Sequence, residues 1–391
     1  MKKIVALIIS LSMIFSINVY AEEETGNAEQ AKKTGKAKSS LLMEASSGTI
    51  IKADNENEKL SPASITKIMT MILIFDAIHN GKIKLTDMAT TSAHAKSMGG
   101  SQVFLEEGEQ QSVETLIKCI IIASGNDASV TMAEHIAGSE EEFVKKMNER
   151  AKGLGMTNTN FEDCCGLTDS DNHYTTAKDV AIMSRELITK YPEIFKYSTI
   201  WMEPFTHKTA KGESEFMLSN TNKLLKTNQY VKGLKTGSTS KAKYCVSTVA
   251  EKDGVELIAV IMAAPDYKAR FLLAEELIKY GFSNCKVYKD ETNYNKNIAI
   301  NGGIKDKIKI RYRGFSYVDT KGSDLDKIKK EITMKKSISA PIKQGDVVGK
   351  IAYTLDNRVV GESFLESAEN VKEANYLYTL GKMFRMFLQI A

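Results

Sequence analysis

Apolar residues crowd one stretch of this chain more densely than any other: between residues 68 and 78 only Thr70 and Asp76 are polar. A run that is apolar nearly all round, preceded by Pro62, predicts a buried helix that is too short to cross a bilayer. Ahead of it, strand-like runs at 40–44 and 49–53 flank the turn residues Ser46-Ser47-Gly48 and predict a β-hairpin. Helical periodicity recurs at 113–123, 128–136, 140–154, 177–190 and 270–280. Two β-branched runs, 244–250 and 255–263, are joined by the turn Lys252-Asp253-Gly254. Strands, then a helix cluster, then strands: this order fits a sheet whose first and last strands meet, with helices packed on it and a helical lobe inserted.

After Cys285 the pattern changes. A polar, aperiodic stretch at 289–296 reads as a linker, and short alternating runs from Ile298 onward predict a small all-β domain. The chain closes on an amphipathic helix. At 100° per residue, Leu377, Leu380, Phe384, Phe387 and Leu388 share one face, and Asn375, Lys382, Arg385 and Gln389 gather on the other. The two cations interrupt any spanning run, so the expected role is a helix lying in a membrane surface; the competing one is a helix docked on the protein's own core.

At the other end, Met1-Lys2-Lys3, an apolar stretch from Ile4 to Phe15 and Val19-Tyr20-Ala21 form a secretory signal pattern. Export with cleavage after Ala21 is expected, followed by a Glu-, Lys-, Gly- and Ala-rich spacer. The expected partition is therefore a signal peptide at 1–21, a spacer at 22–38, a first domain at 39–288, a linker at 289–297, a β-rich domain at 298–368 and the terminal helix at 369–391. The 391-residue chain carries a net charge of +4, or +2 without Lys2 and Lys3, which leaves almost no global field to attract a nucleic acid. Five cysteines in an exported chain cannot all pair internally, and none has Cys-x-x-Cys spacing. Cys119, Cys245 and Cys285 read as small buried apolar residues, and the adjacent Cys164-Cys165 is left open.

Three short strings carry the chemistry: Ser64-Ile65-Thr66-Lys67, Ser124-Gly125-Asn126 and Lys235-Thr236-Gly237. Ser-x-x-Lys alone is common, and three more copies begin at Ser238, Ser240 and Ser283. Only the first opens a buried helix, where a spacing of three places both side chains on one face and the helix N-terminus favours negative charge. A serine hydroxyl needs a base to take its proton, and lysine serves only when burial or a nearby cation lowers its pKa. Lys67 is that candidate base, and Lys235 would be the nearby cation if the third string closes on the first. Ser124 can relay a proton, and the Asn126 amide can hold a substrate peptide group. Lys235 and Thr236 can bind a terminal carboxylate, with Gly237 admitting substrate backbone to the strand edge.

These strings resemble those of the low-molecular-mass penicillin-binding proteins, the serine-type D-alanyl-D-alanine carboxypeptidases. The likeness extends over 41–48, 61–70, 124–128, 147–149, 173–177 and 233–237. It implies an α/β (α+β) serine β-lactamase/DD-peptidase-like fold, an antiparallel sheet with helices on both faces and a helical lobe, then a small all-β domain and a membrane-anchoring helix. It also implies Ser64 as nucleophile, Lys67 as base, Ser124 and Asn126 as the second element, and Lys235 with Thr236 as carboxylate binder. Backbone N–H groups of Ser64 and Ser238 would form the oxyanion hole, and Arg270 would add a carboxylate-binding cation.

The implied reaction trims the terminal D-alanine from peptidoglycan stem peptides ending in D-Ala-D-Ala at the outer face of the cytoplasmic membrane, with no metal or organic cofactor. β-Lactam antibiotics would act as covalent inhibitors. A DD-endopeptidase or transpeptidase, and a catalytically silent wall-binding scaffold, are the alternatives. Two departures stand out: Ser238 occupies a place where many relatives carry an aromatic residue or histidine, and Asp163-Cys164-Cys165-Gly166 replaces a segment usually begun by Asn. A β-lactamase is disfavoured, since no Glu-x-x-x-Asn string lies between Asn126 and Lys235.

Overall fold

The first and last strands of the leading half do meet. In a computed structural model that describes residues 35–388 apart from 211 and 295, strands β1 (Ser39–Glu44), β2 (Ile50–Asp54), β3 (Val231–Thr239), β4 (Lys243–Lys252) and β5 (Val255–Ala264) form one antiparallel sheet. Its order is β2-β1-β5-β4-β3, so β1 pairs with a strand more than two hundred residues away in sequence. The expected signal peptide and most of the spacer fall outside the described residues.

Both faces of this sheet are covered. Leu41 and Met43 point into a core shared with the buried helix α1 (Lys67–His79). On the opposite face α6 (Tyr267–Asn284) comes close enough that a Cβ at Gly281 would lie 2.5 Å from Leu257 and 2.9 Å from Leu42. The lobe between the early and late strands contains α2 (Val113–Ile121), α3 (Asn126–Ala137), α4 (Glu140–Gly153) and α5 (Ala177–Lys190). Serine or threonine starts three of them: Ser112, Ser139 and Thr176 accept from the amides of Thr115, Glu142 and Asp179, satisfying donors that a helix leaves orphaned. A hairpin of Met202–Thr209 and Gly212–Ser219 completes this unit, which runs to Ser283.

The second unit begins at Asn284 and is a β-structure. Strands β6 (Lys286–Lys289) and β9 (Ser316–Asp319) pair. Strands β7 (Asn297–Ala299), β8 (Lys307–Tyr312), β10 (Lys329–Met334), β11 (Val347–Leu355) and β12 (Arg358–Ser367) form a sheet in the order β7-β8-β12-β11-β10. The stretch expected as a linker at 289–297 belongs to this unit. Asp290 is buried and hydrogen-bonded to Tyr312 and Tyr353, and Tyr294 sits in the core with Ile308, Ile310 and Ile351. The expected start of the terminal helix also shifts. Val371 is buried and pairs with Ile342, so α7 begins only at Tyr376 and runs to Leu388. Among the described residues no helix is long and apolar enough to cross a membrane.

Candidate active site

Ser64 lies in a 3-10 turn, Ala63–Thr66, that passes directly into α1 at Lys67. Ala63 holds φ at +46°, a left-handed conformation unusual for a residue with a Cβ, and this sets the direction from which Ser64 enters the cleft. One turn on, the Lys67 Nζ lies 3.0 Å from Ser64 Oγ and donates to it. The same nitrogen donates to Asn126 Oδ1 at 2.6 Å and to the Cys165 carbonyl at 2.8 Å. Lys67 has no solvent exposure, and burial pulls its pKa below the ordinary value. Three acceptors surround it, none of them a carboxylate.

Asn126 is the first residue of α3, and both ends of its amide are engaged within the protein. Oδ1 accepts from Lys67, while Nδ2 donates to Gly99 O at 2.7 Å. The side chain expected to hold a substrate peptide group therefore holds the lysine in this structure. Its neighbour Asp127 fixes the facing loop by accepting from the amides of Val103 and Leu105. Ser124 also takes a left-handed backbone, φ +63°, and its hydroxyl is buried with no hydrogen-bond partner among the described residues.

The third string lies within β3, and the glycine explains how the strand reaches the nucleophile. A Cβ at Gly237 would fall 2.8 Å from Pro62 O and 2.9 Å from Ser64 N, so any other residue would push the strand off the turn. Gly237 thus admits the strand to Ser64, whereas the expectation had been that it admits substrate backbone. Lys235 is fully buried and donates to the Thr236 carbonyl. Burial, then the charges of Lys67 and Arg270, hold its pKa well below the ordinary value. Thr236 Oγ1 donates to Thr221 Oγ1 at 2.7 Å. Ser238, at the end of the strand opposite Tyr244, is exposed. Arg270 on α6 donates to Gly237 O at 3.2 Å, while its Nε is buried without a partner. Lys67 and Arg270 lie near enough for their charges to act on Lys235, and among the described residues none of the three has an ion-pair partner.

One wall was not anticipated from the sequence. Asp163 folds the segment after it by accepting from the amides of Cys165, Gly166, Leu167 and Thr168. Burial opposes its charge, but His173 and these amides outweigh that cost and keep its carboxyl below the usual range. Two carbonyls then face α1: Cys164 O accepts from Thr70 Oγ1 at 2.5 Å and Cys165 O from Lys67. Gly166 is obligatory here, since φ is +79° and a Cβ would lie 1.8 Å from Ala63 O. His173 completes the wall, with Nε2 2.9 Å from Thr66 Oγ1. The glycine after Asp-Cys-Cys was the only local signal for this arrangement. Cys119, Cys164, Cys165 and Cys245 are free and buried, and Cys285 is buried too.

Residues 25–266 match the sequence family described as D-alanyl-D-alanine carboxypeptidase, and residues 282–373 match the C-terminal domain of penicillin-binding protein 5. The chain belongs to the D-alanyl-D-alanine carboxypeptidase family. It is 40% identical to the D-alanyl-D-alanine carboxypeptidase DacF of Bacillus subtilis over 386 residues, covering 96% of each chain. Its identity to DacC of Escherichia coli is 34%, covering 93% of this chain and 90% of the relative. Penicillin-binding protein 5 of Haemophilus influenzae superposes with a TM-score of 0.64 at 33% identity, over 86% of this chain and 98% of that one. As a member of this family the protein is a serine carboxypeptidase that acts on peptidoglycan, with the serine β-lactamase-like fold its resemblance implied.

Proposed function

We propose that Ser64 forms the acyl-enzyme and that Lys67, in its neutral form, is the base that activates it. Ser64 Oγ attacks the carbonyl between the two terminal D-alanines as Lys67 takes its proton. The C–N bond then breaks, and the departing nitrogen receives a proton through Ser124. Water then cleaves the Ser64 ester. The developing oxyanion is assigned to the backbone N–H groups of Ser64 and Ser238. Lys235, Thr236 and Arg270 take the terminal carboxylate, with Gly237 bringing their strand to the nucleophile and Asn126 holding Lys67.

A single observation carries this reading: a fully buried lysine without a carboxylate partner stands 3.0 Å from a serine hydroxyl at the start of a helix. Labelled penicillin and a D-Ala-D-Ala peptide test it together. The expected result is one penicilloyl adduct on Ser64, slow to hydrolyse, and release of D-alanine. No adduct would favour a silent scaffold, an adduct without D-alanine release another acyl transfer, and rapid penicillin turnover a β-lactamase.

Export and attachment of the protein to the outer face of the cytoplasmic membrane belong to the same proposal. Support comes from how α7 lies on its own unit. Two of its polar side chains tie it to the unit, through an ion pair of Lys382 with Asp306 and a hydrogen bond of 2.5 Å from Tyr378 to Ile304 O. Leu377, Phe384, Phe387 and Leu388 point away and are 67–83% exposed. A helix docked on its own core would present these faces the other way round. A chain ending at Asn375, which keeps the buried Val371, should leave the membrane fraction yet still label with penicillin; retention in the membrane fraction would refute the anchor.

A further inference from the structure

The site holds a further hydroxyl that none of the three strings contains. Thr221 follows the hairpin strand Gly212–Ser219, and its Oγ1 accepts from Thr236 Oγ1 at 2.7 Å. The residues on either side hold it there. Asn220 Nδ2 donates to the carbonyls of Ser198 and Ile200 at 3.1 and 2.8 Å, and its Oδ1 accepts from the Asn222 amide at 2.9 Å. Asn222 is fully buried; it donates to Thr248 Oγ1 on β4 at 3.2 Å and accepts from the Leu224 amide at 3.2 Å. The Thr221 amide itself donates to Ile122 O at 3.3 Å, just ahead of Ser124 in the chain. Thr221 thus stands between the second string and the third, with its backbone fixed and its side chain on Thr236.

Counting hydrogens decides what this pair can do. An ionised carboxylate has no hydrogen to give, so whatever binds it must donate. Thr236 has one hydroxyl hydrogen, and in this structure it goes to Thr221. Turning that hydrogen to an incoming carboxylate breaks the bond to Thr221 unless Thr221 donates in return. We propose that Thr221 is a positioning residue of the carboxylate subsite. When the anion arrives beside Lys235 the bond reverses: Thr221 donates to Thr236 Oγ1, and Thr236 donates to the anion. This rests on the reading of Lys235 and Thr236 as the carboxylate binders. Both hydrogens turn about their C–O bonds, and no proton leaves its oxygen. Two hydroxyls in series that end on an anion polarise each other in one direction, which strengthens both bonds. Without a donor at position 221, Thr236 would meet the anion with its own oxygen unpartnered, in a residue that is buried. The pair therefore favours a substrate with a charged end over one with a neutral end.

The full chain and its variants are assayed with a D-Ala-D-Ala peptide and with the same peptide ending in a carboxamide, following release of the last residue, while thermal melts report folding. Thr221→Val keeps the shape and loses the donor. It should lower kcat/KM for the acid peptide about tenfold, with the loss in KM, and change that for the carboxamide by less than about twofold. Thr221→Ser restores the hydroxyl and should restore the acid peptide. Thr236→Val should cost the acid peptide more, and Thr221→Val added to it should cost nothing further, since no hydroxyl is left to orient. The double variant decides the question on the acid peptide alone. An unchanged acid peptide in Thr221→Val, or equal losses for the two peptides, overturns the proposal. So does a full second loss in the double variant, which would put Thr221 on the anion directly. If Thr236→Val leaves the preference for the acid unmoved, the carboxylate reading of Lys235 and Thr236 fails first. If it abolishes that preference while Thr221→Val does not, only the role of Thr221 falls.

Discussion

Each unit of this protein buries charge, and the two do so in opposite ways. In the β-unit the Asp290 carboxylate is fully provided for. It accepts from Lys330 at 2.5 Å, Tyr353 at 2.5 Å, Tyr312 at 3.1 Å and the Thr292 amide at 3.0 Å. These donors outweigh the cost of burial and hold its pKa below the ordinary range. In the catalytic unit, Lys67, Lys235 and Arg270 are buried together without a carboxylate to pair with, and burial lowers the pKa of all three. Satisfied buried charge fixes a core; unsatisfied buried charge is a binding site for what is missing. In the proposed mechanism Lys235 and Arg270 receive the missing anion as the terminal carboxylate of the peptide, while Lys67 serves as the base.

The largest effect expected from this contrast is at Lys67. Lys67→Ala should slow penicillin acylation of Ser64 by about a thousandfold, the middle of the range for loss of a general base, equivalent to about 4 kcal/mol of barrier. Because the change also removes an uncompensated buried cation, the fold should not lose stability in proportion. Time courses of adduct mass and a thermal melt of the same variant check both halves. Near-normal acylation, or a collapse of the fold that accounts for the loss, would break the contrast.

Asp290 should behave the other way. Asp290→Ala leaves two tyrosine hydroxyls and the Lys330 ammonium facing a cavity, which should destabilise the β-unit by about 3 kcal/mol. Acylation of Ser64 should be unchanged, since every candidate catalytic residue belongs to the unit that ends at Ser283. Denaturant unfolding followed beside penicillin labelling separates the two.

How far the sequence disclosed these two clusters differs for a physical reason. α1 was legible because an unbroken apolar run has few other interpretations, and Ser64 and Lys67 followed from their place at its start. β3 was not legible as a strand: Val231–Thr239 contains two glycines, two lysines and three hydroxyl residues, and its pairing with β4 rather than its composition makes it a strand. The hairpin at Met202–Thr209 was hidden in part by Pro204, a residue that argues against a strand unless the edge is free. Asp290 was misplaced altogether. A polar stretch without periodicity reads as a linker, and nothing local indicates that two tyrosines and a lysine from later strands converge on its one carboxylate. The Asp163 wall escaped for a related reason, since its contacts to α1 are made by backbone carbonyls, which carry no residue identity.

The pH dependence gives a gentler test. Only neutral Lys67 can accept the Ser64 proton, so acylation should rise about tenfold per pH unit and level off at the folded pKa of the lysine. Burial places that plateau below the ordinary 10.5. Stability should move the same way. Between the lowered folded values of Lys67 and Lys235 and the ordinary one, the unfolded chain binds more protons, so stability rises with pH across that window. Asp290 is shifted in the same direction with the opposite meaning, since its charged form is the one favoured: its stabilisation is present above the ordinary carboxylate range and is lost as pH falls towards its depressed folded value. An acylation rate that kept rising past pH 10.5 would remove Lys67, with its lowered pKa, as the base.

The smallest expected effect probes how fully Asp290 is provided for. Tyr312 donates to the carboxylate and its hydroxyl lies 2.5 Å from that of Tyr353, itself stacked on Phe315 at 3.8 Å. Tyr312→Phe removes one donor and leaves the ring, the Lys330 ammonium, the Tyr353 hydroxyl and the Thr292 amide in place. The loss should be about 1 kcal/mol, the net value of a single hydrogen bond with its partner still satisfied. Combining it with Lys330→Met makes the measurement sharper. If the donors are redundant, the double variant loses more than the sum of the two single losses, because the second removal leaves the carboxylate short of partners in a dry site. Strict additivity would mean that each donor acts alone, and Asp290 would then be a set of independent contacts instead of a saturated cluster opposed to the open one around Lys67.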